Sequence, residues 1–165
     1  MRSLVATAVV IVMSTASAMA QTRPAATPPP SAPAPGSPAI FKSAADLAAV
    51  LKKATANAGG MSSSSVTTTD QYRVSLVRRD KAAGALAHPG NTELLYIVEG
   101  SGSVITGGTL VPAADGKPAS IANGVTQTIG VGDVVIVPAG SAHWFAVIDA
   151  PITYLEVRWV APDPR

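Results

Sequence analysis

The sequence predicts an all-β domain, a sandwich or barrel of antiparallel strands, preceded by one helix. Apolar and polar residues alternate with period two in six short segments after Val66, and Gly, Pro, Asn and Asp separate these segments. No second helical pattern of useful length appears. Many short strands with evenly spaced turns are typical of such antiparallel folds. The six segments are YRVSLVRR (72–79), ELLYIVEG (93–100), SVITGG (103–108), VVIVP (134–138), HWFAVI (143–148) and ITYLEVRW (152–159).

Residues 1–20 have the layout of a secretory signal peptide. Arg2 supplies one positive charge, an apolar run follows over residues 4–13, and Ala18-Met19-Ala20 forms a small-residue cleavage pattern. The apolar run is shorter than the roughly 20 residues that a membrane span needs, which makes a membrane anchor the less favoured alternative. We therefore expect export, cleavage near Ala20, and a periplasmic or secreted mature protein without a membrane span.

Residues 21–39 are predicted to be a disordered, Pro-rich linker. Seven of the fourteen prolines of the chain lie in the stretch QTRPAATPPPSAPAPGSP (21–38). Such a composition supports neither a helix nor a strand ladder, so the segment should run as a solvated tether in polyproline conformations. The simplest role for it is that of a spacer.

Residues 40–62 are predicted to form the N-terminal helix and a loop, and residues 63–165 the β-barrel domain. Ser43 and Asp46 resemble a capping box, and Gly59-Gly60 ends the helical pattern, so we expect a helix over 44–58. The stretch MSSSS (61–65) is predicted to be a loop. The apolar positions at helical spacing are Leu47, Val50, Leu51, Ala54 and Ala58, which leaves Lys52 and Lys53 on the solvated side.

Composition argues against nucleic acid as a partner and excludes sites that need cysteine. Charged residues make up 13% of the chain, the net charge is +2, and no run of Lys or Arg is interleaved with aromatic residues, so nucleic acid is not an expected partner. The chain contains no cysteine, which excludes disulfides and thiolate metal sites.

The chain has only two histidines, and each lies beside a predicted turn at the start of a strand. His88 and Glu93 are five residues apart, an odd offset that would put them on opposite faces of an unbroken strand. Pro89 keeps His88 extended, and Gly90-Asn91 can supply a turn that gives both side chains a common direction. The second histidine, His143, follows a Pro-x-Gly turn and opens the next strand.

Together the two stretches resemble the cupin superfamily over residues 84–147. The first motif of that family runs Gly, five residues, His-x-His, a short gap, Glu, six residues, Gly. Here Glu93 and Gly100 keep the spacing, and His88 stands where the second histidine belongs. The second motif runs Gly, five residues, Pro-x-Gly, two residues, His, and it is matched by Gly132, Pro138, Gly140 and His143. The resemblance implies a jelly-roll barrel (a double-stranded β-helix) that draws its metal ligands from these motifs, and it makes a homodimer an expectation.

The sequence departs from the family pattern at the first histidine of His-x-His, which is Leu86 here. Three candidate ligands remain: His88, Glu93 and His143. Two imidazoles and one carboxylate can hold a divalent transition metal with open positions, and this set suits iron, manganese, zinc, nickel or copper. The alternative is a metal-free barrel, in which Leu86, Leu95, Phe145 and Val147 line an apolar pocket for a small organic ligand.

Other polar residues receive weaker assignments. Glu156 and Arg158 are expected on the outer face of the barrel, because the apolar set Leu155, Val157 and Trp159 would then point inward. In the reversed register they would instead line the pocket as an acid and an anion clamp. For Arg78 and Arg79 a solvated sheet edge is favoured, although one of the two could reach the barrel mouth. Trp144 should face away from the pocket, and residues 109–128 should form a long loop or a loose hairpin.

Three functions stay open at this point. The first is a metal-dependent enzyme of the cupin kind, an oxygenase, isomerase or lyase acting on a small oxygenated molecule. The second is a module that binds a small molecule without chemistry, which the apolar Leu86 favours. The third is a structural or interaction role for a barrel spaced by its tether from another envelope component. The sequence selects neither the metal nor the substrate.

Overall fold

The computed structural model of the chain describes Gly36 and residues 38–160, except residues 55 and 58. The predicted signal peptide (1–20), most of the predicted linker (21–39) and residues 161–165 lie outside the described residues. Where the structure describes the chain, it contains no helix with the length and apolar character that a membrane span requires.

The described part of the chain consists of one helix followed by eight strands, which confirms the predicted all-β fold with a single N-terminal helix. The helix is α1 (Ala44–Lys53). The strands are β1 (Met61–Thr68), β2 (Tyr72–Arg79), β3 (Asn91–Thr106), β4 (Thr109–Val111), β5 (Ser120–Ala122), β6 (Val125–Ile129), β7 (Val134–Val137) and β8 (His143–Val160).

The predicted capping box at the start of α1 is confirmed. Ser43 Oγ accepts a hydrogen bond from the Asp46 backbone N–H (3.1 Å), and the Asp46 carboxylate accepts one from the Ser43 N–H (3.0 Å). These two bonds satisfy donors that a helix start leaves without intrahelical partners. Leu47, Val50, Leu51 and Ala54 of the predicted apolar face are half-buried, and Ala58 lies outside the described residues. Lys52 and Lys53 are exposed, as expected for an amphipathic surface helix.

The helix is shorter than the predicted span of 44–58, because the chain leaves it after Lys53. Ala54 is already extended, with φ −70° and ψ 130°. Asn57 and Met61 then exchange hydrogen bonds: the Asn57 N–H donates to the Met61 carbonyl (2.9 Å), and the Met61 N–H donates to Asn57 Oδ1 (3.1 Å). This local pairing directs the chain into β1 and stops the helical pattern from continuing.

The predicted loop MSSSS (61–65) is wrong, since these residues form the first half of β1. Backbone pairing with β2 sets this conformation, and a serine run has too little intrinsic preference to announce it. Ser64 Oγ donates to the carbonyl of Val50 (3.0 Å), which fastens α1 to the strand. The predicted boundary between residues 62 and 63 therefore falls inside a strand.

All strand pairs are antiparallel, and the main sheet has the order β1-β2-β8-β3-β6, with β7 also paired to β3. Strands β4 and β5 form a separate two-stranded hairpin, which agrees with the loose hairpin expected as one alternative for residues 109–128. The remainder of that stretch was mispredicted, because residues 125–129 form β6 and pair with the second half of β3.

Strands β3 and β8 are long because each joins two of the predicted strands through β-bulges. The register between them shifts near Glu99 and Ser101, where Gly100 has φ +83°. Bulges bend and twist a strand, so β3 and β8 can each serve two parts of a sheet that rolls around one core. The residues buried in that core are Val77, Leu95, Ile97, Val104, Ile129, Val135, Val137, Phe145, Ile152 and Tyr154.

The outer face of the sheet is partly covered by α1 and the segment before it. Pro38, Ile40 and Leu47 approach Val74 and Leu155 there, and together they line a groove of about 600 Å³. The outer face of β8 therefore also carries apolar residues, so apolar residues alone do not identify the side of this strand that faces the barrel interior.

We expect Gly100→Ala to destabilise the fold strongly. A Cβ at this position would collide with the carbonyl oxygen of Pro151, and the positive φ adds strain for any L-residue. Gly132→Ala is the matched control, because Gly132 also has positive φ (+94°) but no atom lies within 4 Å of the added Cβ. Urea unfolding should show the Gly100 variant to be less stable than the Gly132 variant by at least about 2 kcal/mol. Equal losses would contradict the proposed close approach.

Candidate metal centre and cavity

The backbone carbonyl of His88 closes a tight turn before β3 and also contacts the turn before His143. Its carbonyl accepts a hydrogen bond from the Asn91 N–H (3.3 Å), which closes the turn predicted at Gly90-Asn91. The same carbonyl accepts a second bond from the Gly140 N–H (3.0 Å). Because Gly140 belongs to the turn before His143, one carbonyl oxygen fixes both turns beside each other.

His143 is fastened to the first segment by backbone pairing with Leu86. The Leu86 N–H donates to the His143 carbonyl (3.1 Å), and the His143 N–H donates to the Leu86 carbonyl (2.9 Å). The His143 side chain is buried, and its Nδ1–H donates to the carbonyl of Ser141 (3.2 Å). This bond assigns the proton to Nδ1 and leaves Nε2 with a free lone pair, the arrangement that metal-binding histidines use.

Glu93 lies on β3 with its side chain pointing into the barrel and only 1% of its surface exposed. Its cross-strand neighbours are Val137 on β7 and Arg158 on β8. The turn at Gly90-Asn91 gives the carboxylate the same direction as the His88 imidazole, as expected from the sequence.

The structure brings the three candidate ligands together. His88 Nε2 is 3.4 Å from Glu93 Oε1, and His143 Nε2 is 3.5 Å from Glu93 Oε2. The two imidazole centroids are 5.6 Å apart. One ligand atom from each residue can be chosen so that all three lie within 4.8 Å of one another.

The donor set fits a divalent transition metal. His88 Nε2 and Glu93 Oε1 are buried, and neither has a hydrogen-bond partner, although an unpartnered buried polar atom costs about 1–3 kcal/mol. A cation that accepted both lone pairs together with that of His143 Nε2 would satisfy the two orphaned atoms at once. Two imidazole nitrogens and one carboxylate oxygen are ligands that iron, manganese, nickel and zinc accept.

Burial lowers the pKa of the two imidazoles, which favours metal binding, and raises the pKa of the carboxylate, which opposes it. Desolvation lowers the pKa of His143 and of His88, and the Arg158 guanidinium lowers the His88 pKa further. Both imidazoles are therefore neutral near pH 7, as ligands must be. Desolvation also raises the pKa of Glu93, with Arg158 acting in the opposite direction.

Glu156 and Arg158 line this cavity, so their predicted position on the outer face is wrong. Register explains the error. Arg158 lies directly opposite the inward-facing Glu93, and Glu156 lies opposite the inward-facing Leu95, so both share the inner face. The apolar set Leu155, Val157 and Trp159 faces outward and is half-buried, with Leu155 lining the groove beside α1.

Arg158 connects the two buried carboxylates. Its Nε lies 3.0 Å from Glu93 Oε1, an ion-pair distance without hydrogen-bond geometry, and its second terminal nitrogen (Nη2) donates to Glu156 Oε1 (3.0 Å). Arg73 reaches the other Glu156 oxygen at 3.5 Å. With this register Arg158 faces the cavity, where a guanidinium can act as an anion clamp.

The cavity beside the trio has a volume of about 320 Å³. Leu86, Leu95 and Phe145 line it, as predicted for an apolar pocket. Val147 does not, and this prediction is wrong, since Val147 is 48% exposed. The pairing shifts between Val104–Phe145 and Ser103–Val147, so one extra residue on β8 turns Val147 to the outer face.

Arg79 and Tyr154 complete the cavity wall. The sequence left open that one of Arg78 and Arg79 reaches the barrel mouth, and it did not single out Tyr154. Arg79, the last residue of β2, is 9% exposed, and its Nε donates to the Tyr154 hydroxyl oxygen (3.0 Å). Its guanidinium carbon lies 4.7 Å from the centroid of the Phe145 ring, which stacks on Tyr154 at 5.1 Å. Arg79 therefore does not lie at a solvated sheet edge.

Arg78 and Trp144 lie away from the cavity. Arg78 is on the opposite face of β2 from Arg79 and binds Glu99 (2.8 Å) and Asp80 (3.1 Å). Trp144 donates its indole N–H to the carbonyl of Ala83, in the segment between β2 and β3. Its predicted direction away from the pocket is confirmed.

Comparison with known proteins identifies a family. A sequence model described as Cupin matches residues 49–154 of this chain. No curated protein matches the chain. The matched range contains both histidine-bearing turns and all of β3.

Solved structures of low sequence identity are similar to this chain. An RmlC-like cupin from Shewanella frigidimarina has 17% identity and a TM-score of 0.48, over 68% of this chain and 88% of that one. KdgF from a Halomonas species has 13% identity and a TM-score of 0.48, over 67% and 90%. A protein described as a predicted oxalate decarboxylase, from Thermotoga maritima, has 17% identity and a TM-score of 0.48, over 66% and 91%. The family assignment rests on the match over 49–154.

We expect Tyr154 to titrate late in alkaline solution. Burial raises its pKa to about 12, so the phenol stays neutral in the folded chain at pH values where it would ionise in the unfolded chain. The free energy of unfolding should therefore fall as the pH rises from about 10 towards 12, by up to about 3 kcal/mol. Tyr154→Phe should lose both this slope and one phenolate absorbance step near pH 12. An unchanged alkaline titration in that variant would contradict the assignment.

Proposed function

The chain belongs to the cupin family, and on that premise we propose that it binds a divalent transition metal through His88, Glu93 and His143. We also propose that the cavity beside these ligands takes a small organic molecule. The observation that carries the metal proposal is the convergence of three donors, two of which have buried atoms without a hydrogen-bond partner.

The side chains around the trio support this role. Ser141 holds the His143 ring with Nε2 facing Glu93, and Arg158 lowers the Glu93 pKa against the larger raising effect of burial. Leu86 and Phe145 make the adjoining wall apolar and restrict water. A bound metal would supply Lewis-acid chemistry and open positions for the oxygens of a substrate. We propose an oxygenase, isomerase or lyase reaction on that basis.

A metal-free cupin that binds a small molecule without chemistry is the second candidate. Arg158 favours it, because a guanidinium 3.0 Å from Glu93 Oε1 already neutralises the carboxylate that a metal would need. Leu86 favours it as well, since an apolar side chain stands where the family pattern has a ligand. The two candidates differ in metal content, and elemental analysis of the mature protein recovered from its own compartment separates them.

We expect His143→Ala and Glu93→Gln to lose at least about a hundredfold in affinity for iron, manganese, nickel or zinc. Even changes to residues that only support a ligand cost about 10–100-fold. Glu99→Gln is the matched control, because Glu99 is a carboxylate of the same strand that binds Arg78 and Thr153 outside the cavity. Metal content after dialysis and calorimetric titration measure the effect. Equal metal loading of all three variants would show that the trio does not bind the metal.

Leu86→His should bind the metal more tightly than the parent. Leu86 pairs directly with His143 and lines the same cavity, so a histidine there would add a fourth donor beside the trio. Competition with a chelator measures the gain. An unchanged affinity would mean that position 86 does not face the metal.

We propose that the chain is exported and cleaved near Ala20, on the strength of the layout of residues 1–20. Mass spectrometry of the mature protein should then find an N-terminus at or near Gln21. An intact Met1 in the envelope fraction would contradict this.

We also propose a homodimer. Tyr96, Val134 and Ile136 are exposed apolar side chains that lie beside one another on the outer face of β3 and β7, and a second copy could cover them.

A further inference from the structure

Arg79 is a buried cation without an acidic partner. Its side chain is more than nine-tenths buried, yet its recorded contacts are one hydrogen bond to the neutral Tyr154 hydroxyl and the faces of the Phe145 and Tyr154 rings. A guanidinium cannot lose its proton in a protein, so it cannot relieve the cost of burial by becoming neutral. An anion is the partner that would offset this cost.

The acids of the cavity are already engaged elsewhere. Glu93 pairs with Arg158, and Glu156 pairs with both Arg158 and Arg73. Among the described residues no carboxylate lies within ion-pair distance of Arg79. The cavity wall therefore carries three guanidinium groups against two carboxylates, which leaves one positive charge in excess.

Tyr154 adds a second unused donor beside Arg79. Its hydroxyl oxygen accepts the Arg79 Nε–H, and no acceptor for its own proton is recorded among the described residues. The hydroxyl is protonated at neutral pH, as any tyrosine is, and burial raises the pKa of Tyr154 further, to about 12. The terminal N–H groups of Arg79 and the Tyr154 O–H thus form one patch of donors, as a pair of carboxylate oxygens requires.

We propose that Arg79 and Tyr154 form a carboxylate-binding subsite, so that the small organic ligand of this cavity is a carboxylic acid in its ionised form. This inference rests on the proposed function, since it names the class of ligand that the cavity takes. The Phe145 and Tyr154 rings and Leu95 would contact the apolar part of the acid. The cavity volume of about 320 Å³ limits the ligand to a small molecule.

A carboxylate fits better than a phosphate. The donors lie over a stacked aromatic wall, which suits a flat, singly charged group attached to an apolar body. Without a metal, a phosphate would bring more negative charge than the single positive charge in excess can balance, and two carboxylates already line the cavity. Inorganic phosphate is therefore one arm of the test.

The test is calorimetric titration of the full chain with acetate, pyruvate and benzoate, each compared with its neutral amide. The titrations are made first on chelator-treated protein and then on metal-loaded protein. At least one carboxylate should bind about 10–100-fold more tightly than its amide in both forms, because hydrogen bonds to charged groups have about this effect. The proposal is overturned if none of the acids binds, if amides bind equally well, or if only phosphate binds.

Variants locate the subsite. Arg79→Gln and Tyr154→Phe should each weaken binding of the preferred carboxylate by about tenfold or more, with little change for the amide. Tyr154→Phe keeps the ring that stacks on Phe145, so it removes only the hydroxyl. Arg78→Gln is the matched control, since Arg78 is the neighbouring arginine on the opposite face of β2, and its affinity should equal that of the parent.

The outcomes separate this inference from the metal proposal. Carboxylate binding by chelator-treated protein, with parental metal loading of His143→Ala, would support the subsite and refute the metal site. Metal loading that depends on His143, with parental carboxylate affinity in Arg79→Gln, would refute the subsite alone. If Arg79→Gln does not fold, Tyr154→Phe and the comparison of acid with amide still decide the question.

Discussion

The buried carboxylate of Glu93 is the constraint on which the interior of this protein depends. Removing an ion from water costs several kcal/mol, so a carboxylate that is 1% exposed needs a cation or a proton nearby. Arg158 is placed directly across the sheet to meet that need, and the two histidines approach the same carboxylate from two turns. The turns themselves are fixed by backbone bonds to the carbonyl of His88 and between Leu86 and His143. Geometry of the trio is therefore set by the main chain.

Charge distribution divides the cavity into two parts. At one end, two acids, two arginines and two neutral histidines form a network in which Glu93 pairs with Arg158 and faces both imidazoles. At the other end, Arg79 lies against two aromatic rings, and the Tyr154 hydroxyl is its only side-chain hydrogen-bond partner among the described residues. A ligand that spans the cavity would place its anionic group at one end and its reactive oxygens at the other. Except for His88, which lies on a turn, both ends are built from side chains on the inner face of the adjacent strands β2, β8 and β3.

Leu86 is the point at which this cupin departs from the family motif. The backbone of Leu86 still pairs with that of His143, so the absence of a fourth ligand changes the donor set and leaves this backbone pairing in place. Metal binding in this protein would then depend on three ligands whose strength is set by their surroundings. Ser141 fixes one histidine tautomer, desolvation keeps both rings neutral, and Arg158 holds the carboxylate. The same arrangement without a metal is an electrically balanced polar network.

The sequence by itself determined the all-β class, the single helix with its capping box, and the two turns that bear histidine. Strong local signals produced these predictions: strict alternation, Gly and Pro at turns, and a side chain that caps its own helix. Tertiary structure alone decided that residues 61–65 form a strand, that Glu156 and Arg158 face inward, that Val147 faces outward, and that Arg79 enters the cavity. Alternation with period two defines two faces but does not say which is inside, and a bulge reverses the choice partway along a strand. The pairing register of the strands, together with the apolar contacts of α1 with the outer face, determines which side chains face the cavity.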